Sequence, residues 1–165
     1  MTADTARQAD QDTAPETPGD ANAARKAWMG VLAKAAPGRV PDLLDAAMPR
    51  PAHAWLRRPE IGTVMVRGRA GGTGAAFNLG EMTVTRCSLR LEDGAVGHAW
   101  VQGRRKPDAE AAAIVDALMQ TGAAEKVHAA IVAPLQAEAD AARAIRAAKA
   151  AATKVDFFTM VRGED

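Results

Sequence analysis

The feature that most constrains the fold is a hairpin pattern over residues 82–102. From residue 82 to 91 polar and apolar side chains alternate, which is the period of a strand with one covered face. Asp93-Gly94 is a turn dipeptide typical of a tight hairpin, and residues 95–102 return as the next strand. The predicted covered face holds Cys87, Leu89 and Leu91, and the predicted outer face holds Val84, Arg86, Ser88 and Arg90.

Helix and strand patterns flank this hairpin on both sides. An edge strand over residues 53–57, limited by Pro59, and an alternating stretch over residues 62–69 precede it. The predicted helices are 23–36 with Asn22 as N-cap, 41–48, 107–120, and a region over 123–153 broken or kinked at Pro134. The pattern predicts an α+β fold, in which helices pack on one side of a three- to four-stranded antiparallel sheet. A C-terminal helix and a projecting apolar tail complete it.

Length and composition predict a short N-terminal extension followed by one domain. The chain has 165 residues, and residues 1–22 are polar and acidic, so we expect a disordered extension there and a single domain over 23–165. The one cysteine, Cys87, excludes an internal disulfide and fits a reducing compartment. Because neither a signal-peptide pattern nor a membrane-length apolar run is present, we expect a cytoplasmic protein.

Charge is balanced overall but uneven along the chain. The net charge of +1 argues against a globally cationic nucleic-acid binder. Residues 57–106, however, carry nine arginines and lysines against four carboxylates, an excess of five positive charges. Such a block attracts anions.

A glycine-rich segment over residues 68–74, G-R-A-G-G-T-G, is the clearest candidate for holding an anion. Backbone amides can form an anion-binding nest, and arginine grips phosphate oxygens in pairs. No Lys-Ser/Thr pair or helix follows, so it is not a P-loop; the alternative is a strand connection that needs positive φ. Arg67, Arg69, Arg86 and Arg90 occupy alternate positions on adjacent predicted strands, so two to four of them can converge; the alternative is a solvated sheet face. The candidate residues for binding an anion or a partner are Arg67, Arg69, Gly71, Gly72, Gly74 and Arg86.

No catalytic residue or metal site is predicted from the remaining polar residues. The three histidines lack metal-ligand spacing. His98 shares a predicted face with Trp100; a packed residue is the simpler interpretation, and a functional group titrating near neutral pH is the alternative. Cys87 is expected to be buried rather than reactive. Glu110 and Asp116 are expected on opposite helix faces, so they form no acid–base pair.

The C-terminal tail is the strongest interaction signal. Two of the three phenylalanines are adjacent, at 157 and 158, where strand alternation cannot bury both against one surface. The tail is therefore either a strand inside its own domain or covered by a partner, and we favour the partner. The predicted docking residues are Phe157, Phe158, Met160 and Arg162.

Seven segments of the chain form a recognisable set: Trp28-Met29, R-G-R-A-G-G-T-G (67–74), G-E-M-T-V-T-R (80–86), W-V-Q-G-R (100–104), A-E-A-A-A-I-V-D-A-L-M-Q (109–120), I-V-A-P-L (131–135) and V-D-F-F-T-M-V-R-G (155–163). Together these segments resemble the PhnG family, the G subunit of the bacterial carbon–phosphorus lyase system. They run in order over about residues 25–163, and the acidic extension before Ala23 departs from the family pattern.

The resemblance implies a subunit of a cytoplasmic complex with PhnH, PhnI and PhnJ. There the G, H, I and L proteins, the last being PhnL, act as a ribose 1-methylphosphonate 5-triphosphate synthase. They displace adenine from MgATP and attach a phosphonate to ribose C1, and PhnJ then cleaves the C–P bond by radical S-adenosylmethionine chemistry. No catalytic residue is carried over, and no cofactor is expected on this chain alone. Two alternatives stay open: an independent nucleotide-binding enzyme, and a scaffold whose arginines dock acidic partner surfaces.

Overall fold

The computed structural model describes residues 18–153, which form one three-stranded antiparallel sheet and five α-helices. The strand order is β1-β2-β3, so β2 is central. The predicted α+β fold with an antiparallel sheet and a C-terminal helix is confirmed, whereas the predicted tail lies outside the described residues. The elements are α1 (Pro18–Leu32), α2 (Arg39–Ala47), β1 (His53–Arg69), β2 (Ala76–Leu91), β3 (Val96–Gln102), α3 (Lys106–Leu118), α4 (Ala124–Val127) and α5 (Ala133–Ala152).

The core lies between α3 and the inner face of β2 and β3. Cys87, Leu89 and Leu91 are buried there, as their alternation predicted. Residues 111–118 of α3 are all buried, and the alanines among them let the helix approach the sheet closely. The closest approach is at Gly97, where an added Cβ would lie 2.9 Å from the backbone nitrogen of Ala117. Small residues therefore set the distance between helix and sheet.

Val84 lies on the outer face, as predicted, and points away from α3, but it is buried there. In the sheet it lies between Gly62 of β1 and Gln102 of β3. The amide of Gln102 extends over this face to the sulfur of Met82, at 3.3 Å. Alternation predicts on which face of the sheet a side chain lies. Whether that side chain is buried depends on its neighbours in the adjacent strands, which the strand register determines.

β1 is a single 17-residue strand, where the sequence predicted two pieces separated at Pro59. The chain accommodates the proline through register shifts between Trp55 and Arg57 and between Arg57 and Glu60. An edge strand tolerates proline because an outward N–H is not needed for the ladder, and bulges absorb the extra residues. The sheet therefore has three strands rather than four.

The distal part of the β1–β2 pair projects beyond the three-stranded sheet. β3 pairs only with residues 84–90 of β2, whereas β1 pairs with β2 out to Arg69 and Ala76. A single turn of 3-10 helix, Ala70–Gly72, lies at the tip. We call this two-stranded extension the ribbon, defined as residues 61–83.

Two helix boundaries differ from the sequence prediction. α1 spans Pro18–Leu32, so the chain is already helical before the predicted cap at Asn22, within an alanine-rich run that favours helix. The C-terminal helical region is interrupted as predicted, but by a π-helical turn at His128–Val132 just before Pro134. Proline cannot donate to the carbonyl four residues earlier, so the preceding turn widens.

Candidate functional site

Four side chains form a polar and aromatic cluster on the outer face of the sheet, the face that points away from α3. In register, Ser88 of β2 lies opposite His98 of β3, and Arg86 lies opposite Trp100. The Ser88 hydroxyl is 2.8 Å from Nδ1 of His98, and the Arg86 guanidinium carbon is 5.7 Å from the centre of the Trp100 ring. We call these four residues the outer-face cluster. Cross-strand pairing, which juxtaposes such side chains, is what assembles it.

Glu60 of β1 balances part of the positive charge beside this cluster. Its Oε1 accepts a hydrogen bond of 2.6 Å from Arg86 Nε and another of 2.6 Å from Arg57 Nη1. Both hydrogen bonds lower the pKa of Glu60 below its ordinary value, and the bond from Arg86 has the larger effect. Arg90 lies on the same face two residues beyond Ser88. Three arginines against one carboxylate leave this face positive.

The outer-face cluster supplies donors suited to an oxyanion. When the Ser88 hydroxyl donates to Nδ1 of His98, the imidazole proton lies on Nε2, which can then donate outward. Guanidinium and imidazole N–H groups are the donors that phosphate and phosphonate oxygens accept. Trp100 is 48% exposed and offers an adjacent apolar ring. The arrangement can therefore bind an anion that also carries an apolar or aromatic group.

The predicted glycine loop lies at the tip of the ribbon. The N–H groups of Thr73 and Gly74 both donate to the Ala70 carbonyl, and Arg69 Nη1 donates to the Gly74 carbonyl at 3.0 Å. These amides are thus engaged within the loop. Gly71 has φ of 59°, so the loop does need the positive φ that a strand connection was expected to require. A binding role for Arg67, Arg69, Gly71, Gly72 and Gly74 stays a prediction.

The four arginines do not all converge, because Arg67 and Arg69 lie far from Arg86 and Arg90. Arg86 pairs with Glu60, whereas Arg67 pairs with Asn78, so the two sites are seven β1 residues apart, about 23 Å along the strand. They also differ in face. Val64 pairs with Met82 on the outer face, and Arg67 and Arg69 alternate with Val64 and Val66, so they point to the opposite side.

Asp116 is the structural residue that the sequence reasoning missed. This fully buried carboxylate of α3 accepts hydrogen bonds from both Arg25 Nε (3.1 Å) and Nη2 (2.7 Å), from Trp28 Nε1 (2.9 Å) and from the His98 backbone N–H (2.9 Å). It thereby joins α1, α3 and β3 directly behind the outer-face cluster. The sequence signal that indicates it is a carboxylate inside the apolar run I-V-D-A-L (114–118). A charge at such a buried position requires hydrogen-bonding partners.

Cys87 was predicted to be buried, and it is. Burial raises the pKa of its thiol to about 12, and the charge of Glu110 adds to the shift, so the thiol is protonated at neutral pH.

Among residues 18–153 no three His, Cys, Asp or Glu side chains come together in a way that would hold a metal ion. The predicted docking residues Phe157, Phe158, Met160 and Arg162 lie outside the described part of the chain.

Two surface cavities, of about 500 and 530 Å³, flank the line where α1 meets α5. Ala27, Val31 and Gln136 line both, and none of the predicted anion-binding residues lines either. Across residues 18–153, none of the helices combines the length and apolar character that a membrane crossing requires.

Comparison with known proteins identifies the family. The family model described as "Phosphonate metabolism protein PhnG" matches residues 23–163. The chain belongs to the PhnG family. A PhnG relative from Rhizobium meliloti (strain 1021), named alpha-D-ribose 1-methylphosphonate 5-triphosphate synthase subunit PhnG, is 46% identical over 153 residues, which are 92% of this chain and 98% of that protein. The family resemblance found in the sequence is confirmed.

Proposed function

We propose that this PhnG-family chain is a subunit of a ribose 1-methylphosphonate 5-triphosphate synthase in phosphonate catabolism. The observation that carries the proposal is the 46% identity to a protein named as that subunit, over nearly the full length of both chains. In the proposed reaction the bond from ribose C1 of ATP to adenine breaks, and a phosphonate oxygen bonds to C1 instead. The proposed partners are PhnH, PhnI and PhnL in the synthase, and PhnJ in the core complex, all in the cytoplasm; the complex uses MgATP.

Within that complex, we assign the outer-face cluster to an anionic group of the substrates, at a site shared with a partner subunit. The support is its donor set and positive charge: Arg86 and His98 occupy diagonal positions of the β2–β3 pair, and Arg57, Arg86 and Arg90 on that face accompany the Glu60 carboxylate. The ribbon tip with Arg67 and Arg69 is proposed to contact a partner or the substrate separately. The tail residues Phe157 and Phe158 are proposed to dock onto a partner.

A scaffold role is the second candidate, and a specific observation favours it. Arg86 and Arg57 already share the Glu60 carboxylate, so part of their hydrogen-bonding capacity is used inside the chain. In that case the arginines of the outer face would dock an acidic partner surface rather than hold substrate. The two roles predict different losses when Arg86 is removed.

The test is reconstitution with the partner subunits. The chain is co-expressed with PhnH, PhnI and PhnL, and adenine release from MgATP is measured with methylphosphonate present. We expect release to require this chain; an unchanged rate without it would overturn the proposed function.

The Arg86→Ala variant then separates the two roles, with Arg143→Ala on the exposed face of α5 as the matched control. If Arg86 holds substrate, assembly stays intact and adenine release falls roughly tenfold to a hundredfold, as expected for losing a charged hydrogen bond. Loss of assembly favours the scaffold. Wild-type assembly and turnover in Arg86→Ala would remove both roles for this side chain.

A further inference from the structure

The two edges of the sheet differ in how their outward backbone groups are bonded. At the β3 edge three of these groups have partners within the chain: Arg25 and Gln120 donate to the Val96 carbonyl at 3.2 and 2.9 Å. The His98 N–H donates to Asp116, and the Gln102 N–H donates to the Ala33 carbonyl at 3.1 Å. The end of α1 and the Asp116 carboxylate thus cover part of this edge, as natural sheets commonly do.

The hydrogen-bond pattern also defines which groups of β1 face outward. The Leu91 N–H donates to the Ala95 carbonyl, and the Gly103 N–H donates to the Thr83 carbonyl. Odd-numbered residues of β2 therefore bond toward β3, and even-numbered ones bond toward β1, because antiparallel ladders alternate. Val84 and Met82 pair with Gly62 and Val64.

It follows that the N–H and C=O groups of Ile61, Thr63 and Met65 point away from β2. Within residues 18–153, no backbone or side-chain hydrogen bond reaches these outward groups. Ile61 and Met65 are also 48% and 52% exposed. A long edge that combines free backbone groups with exposed apolar side chains is the template that an added strand uses, with the backbone giving affinity and the side chains giving specificity.

Charge identifies the kind of strand that fits. β1 carries Arg57, Arg58, Arg67 and Arg69 against Glu60, a net charge of +3 with His53 neutral. A second copy paired along the same edge would bring two such strands together, and like charges across a strand pair are destabilising. A strand with apolar residues at its centre and Asp or Glu near its ends would match both Ile61 and Met65 and the flanking arginines.

We propose that the free edge of β1 receives an extended, acidic strand of a partner subunit, which becomes the fourth strand of the sheet. The inference rests on the proposed function, because that function supplies the partner. It assigns the ribbon a docking role that depends on the backbone of residues 61–65, separate from the outer-face cluster.

The test is Thr63→Pro, with Thr63→Val as the matched control. Proline removes the outward N–H at the centre of the free edge and places its ring where an added strand would lie. It removes no bond to β2, because the Thr63 N–H points away from that strand, and edge strands tolerate proline at such positions. Valine keeps the N–H and the branched Cβ. We expect both variants to fold, as followed by far-UV circular dichroism and urea denaturation. We expect Thr63→Pro to bind the co-expressed subunits at least tenfold more weakly, and Thr63→Val to bind as the wild type does.

Hydrogen exchange on the wild-type complex gives a second readout that needs no variant. The amides of Ile61, Thr63 and Met65 should exchange at least tenfold more slowly in the complex than in the free chain. If the wild type binds no subunit, the proposed function fails and the inference falls with it. If the wild type binds, but Thr63→Pro binds equally well and these amides stay unprotected, only the inference is overturned. A homodimer that protects the same amides would also overturn it, in favour of a second copy.

Discussion

Replacing Asp116 by alanine should destabilise the fold far more than removing an exposed carboxylate such as that of Asp140. The Asp116 side chain is fully buried and accepts four hydrogen bonds, two of them from the Arg25 guanidinium. Its loss leaves the N–H groups of Trp28 and His98 without their acceptor, and it leaves the Arg25 charge uncompensated. All three consequences act on the same junction of α1, α3 and β3.

The size of the effect follows from burial. Removing one partner of a buried ion pair costs about 3–5 kcal/mol. Arg25 is 30% exposed, so its charge still reaches water, and the lower end of that range applies. The higher helix propensity of alanine offsets about 0.5 kcal/mol. We therefore expect a loss of about 3 kcal/mol in the free energy of unfolding, which lowers Tm by roughly 6–12 °C for a chain of this size.

Urea denaturation of the Asp116→Ala variant, followed by far-UV circular dichroism, measures this loss. Tryptophan fluorescence is unsuitable because Trp28 itself contacts Asp116. The matched control is Asp140→Ala, which removes an exposed carboxylate paired with Arg143 on α5 and should cost less than about 0.5 kcal/mol. The reasoning would be refuted if the two variants differed by less than about 1 kcal/mol.

Three further predictions concern the sheet. Gly97→Ala should lower the free energy of unfolding by about 2 kcal/mol or more, because the added methyl group would collide with the α3 backbone at Ala113 and Ala117. Gly62→Ala is the control, since an added Cβ there meets open space. Equal urea midpoints for the two variants would contradict this prediction. Arg86→Ala should raise the pKa of Glu60 toward its ordinary value, as measured by NMR titration of the carboxyl group, and an unchanged pKa would show that the bond from Arg86 is not its main cause. The folded-state pKa of Glu60 is lowered, so the carboxylate contributes stability above its unfolded-state pKa, and this contribution is lost as pH falls through the folded-state pKa. Glu60→Gln should therefore make the free energy of unfolding less dependent on pH in the acid range, as measured by urea denaturation at several pH values.

Local patterns were sufficient for most elements of this fold. The period of two in β2 predicted which side chains face the core, and the Asp93-Gly94 dipeptide predicted the turn, where Gly94 has φ of 93°. Pro107 predicted the start of α3 to within one residue. These succeeded because each depends on chemistry within a few residues. The predicted break between two strands at Pro59 was wrong, because pairing with β2 outweighed the local effect of the proline.

The candidate site could be predicted only in part. His98 and Trp100 were placed on one face by alternation, but their neighbours Ser88 and Arg86 depend on the β2–β3 register. The register also separated Arg67 from Arg86. No short-range signal gives the alignment of two strands whose contacts span tens of residues, since bulges shift it by one residue at a time.

The sequence by itself determined the family, the alternating strands, the turn and the burial of Cys87, because each is written in local order or in residue type. Only the tertiary structure decided that Asp116 joins three elements, that Ser88 meets His98, and that, within residues 18–153, the β3 edge is bonded to α1 and α3 while the outward backbone groups of residues 61–65 have no partner. The physical reason is that hydrogen bonds between distant segments form only after packing has fixed their distance and register.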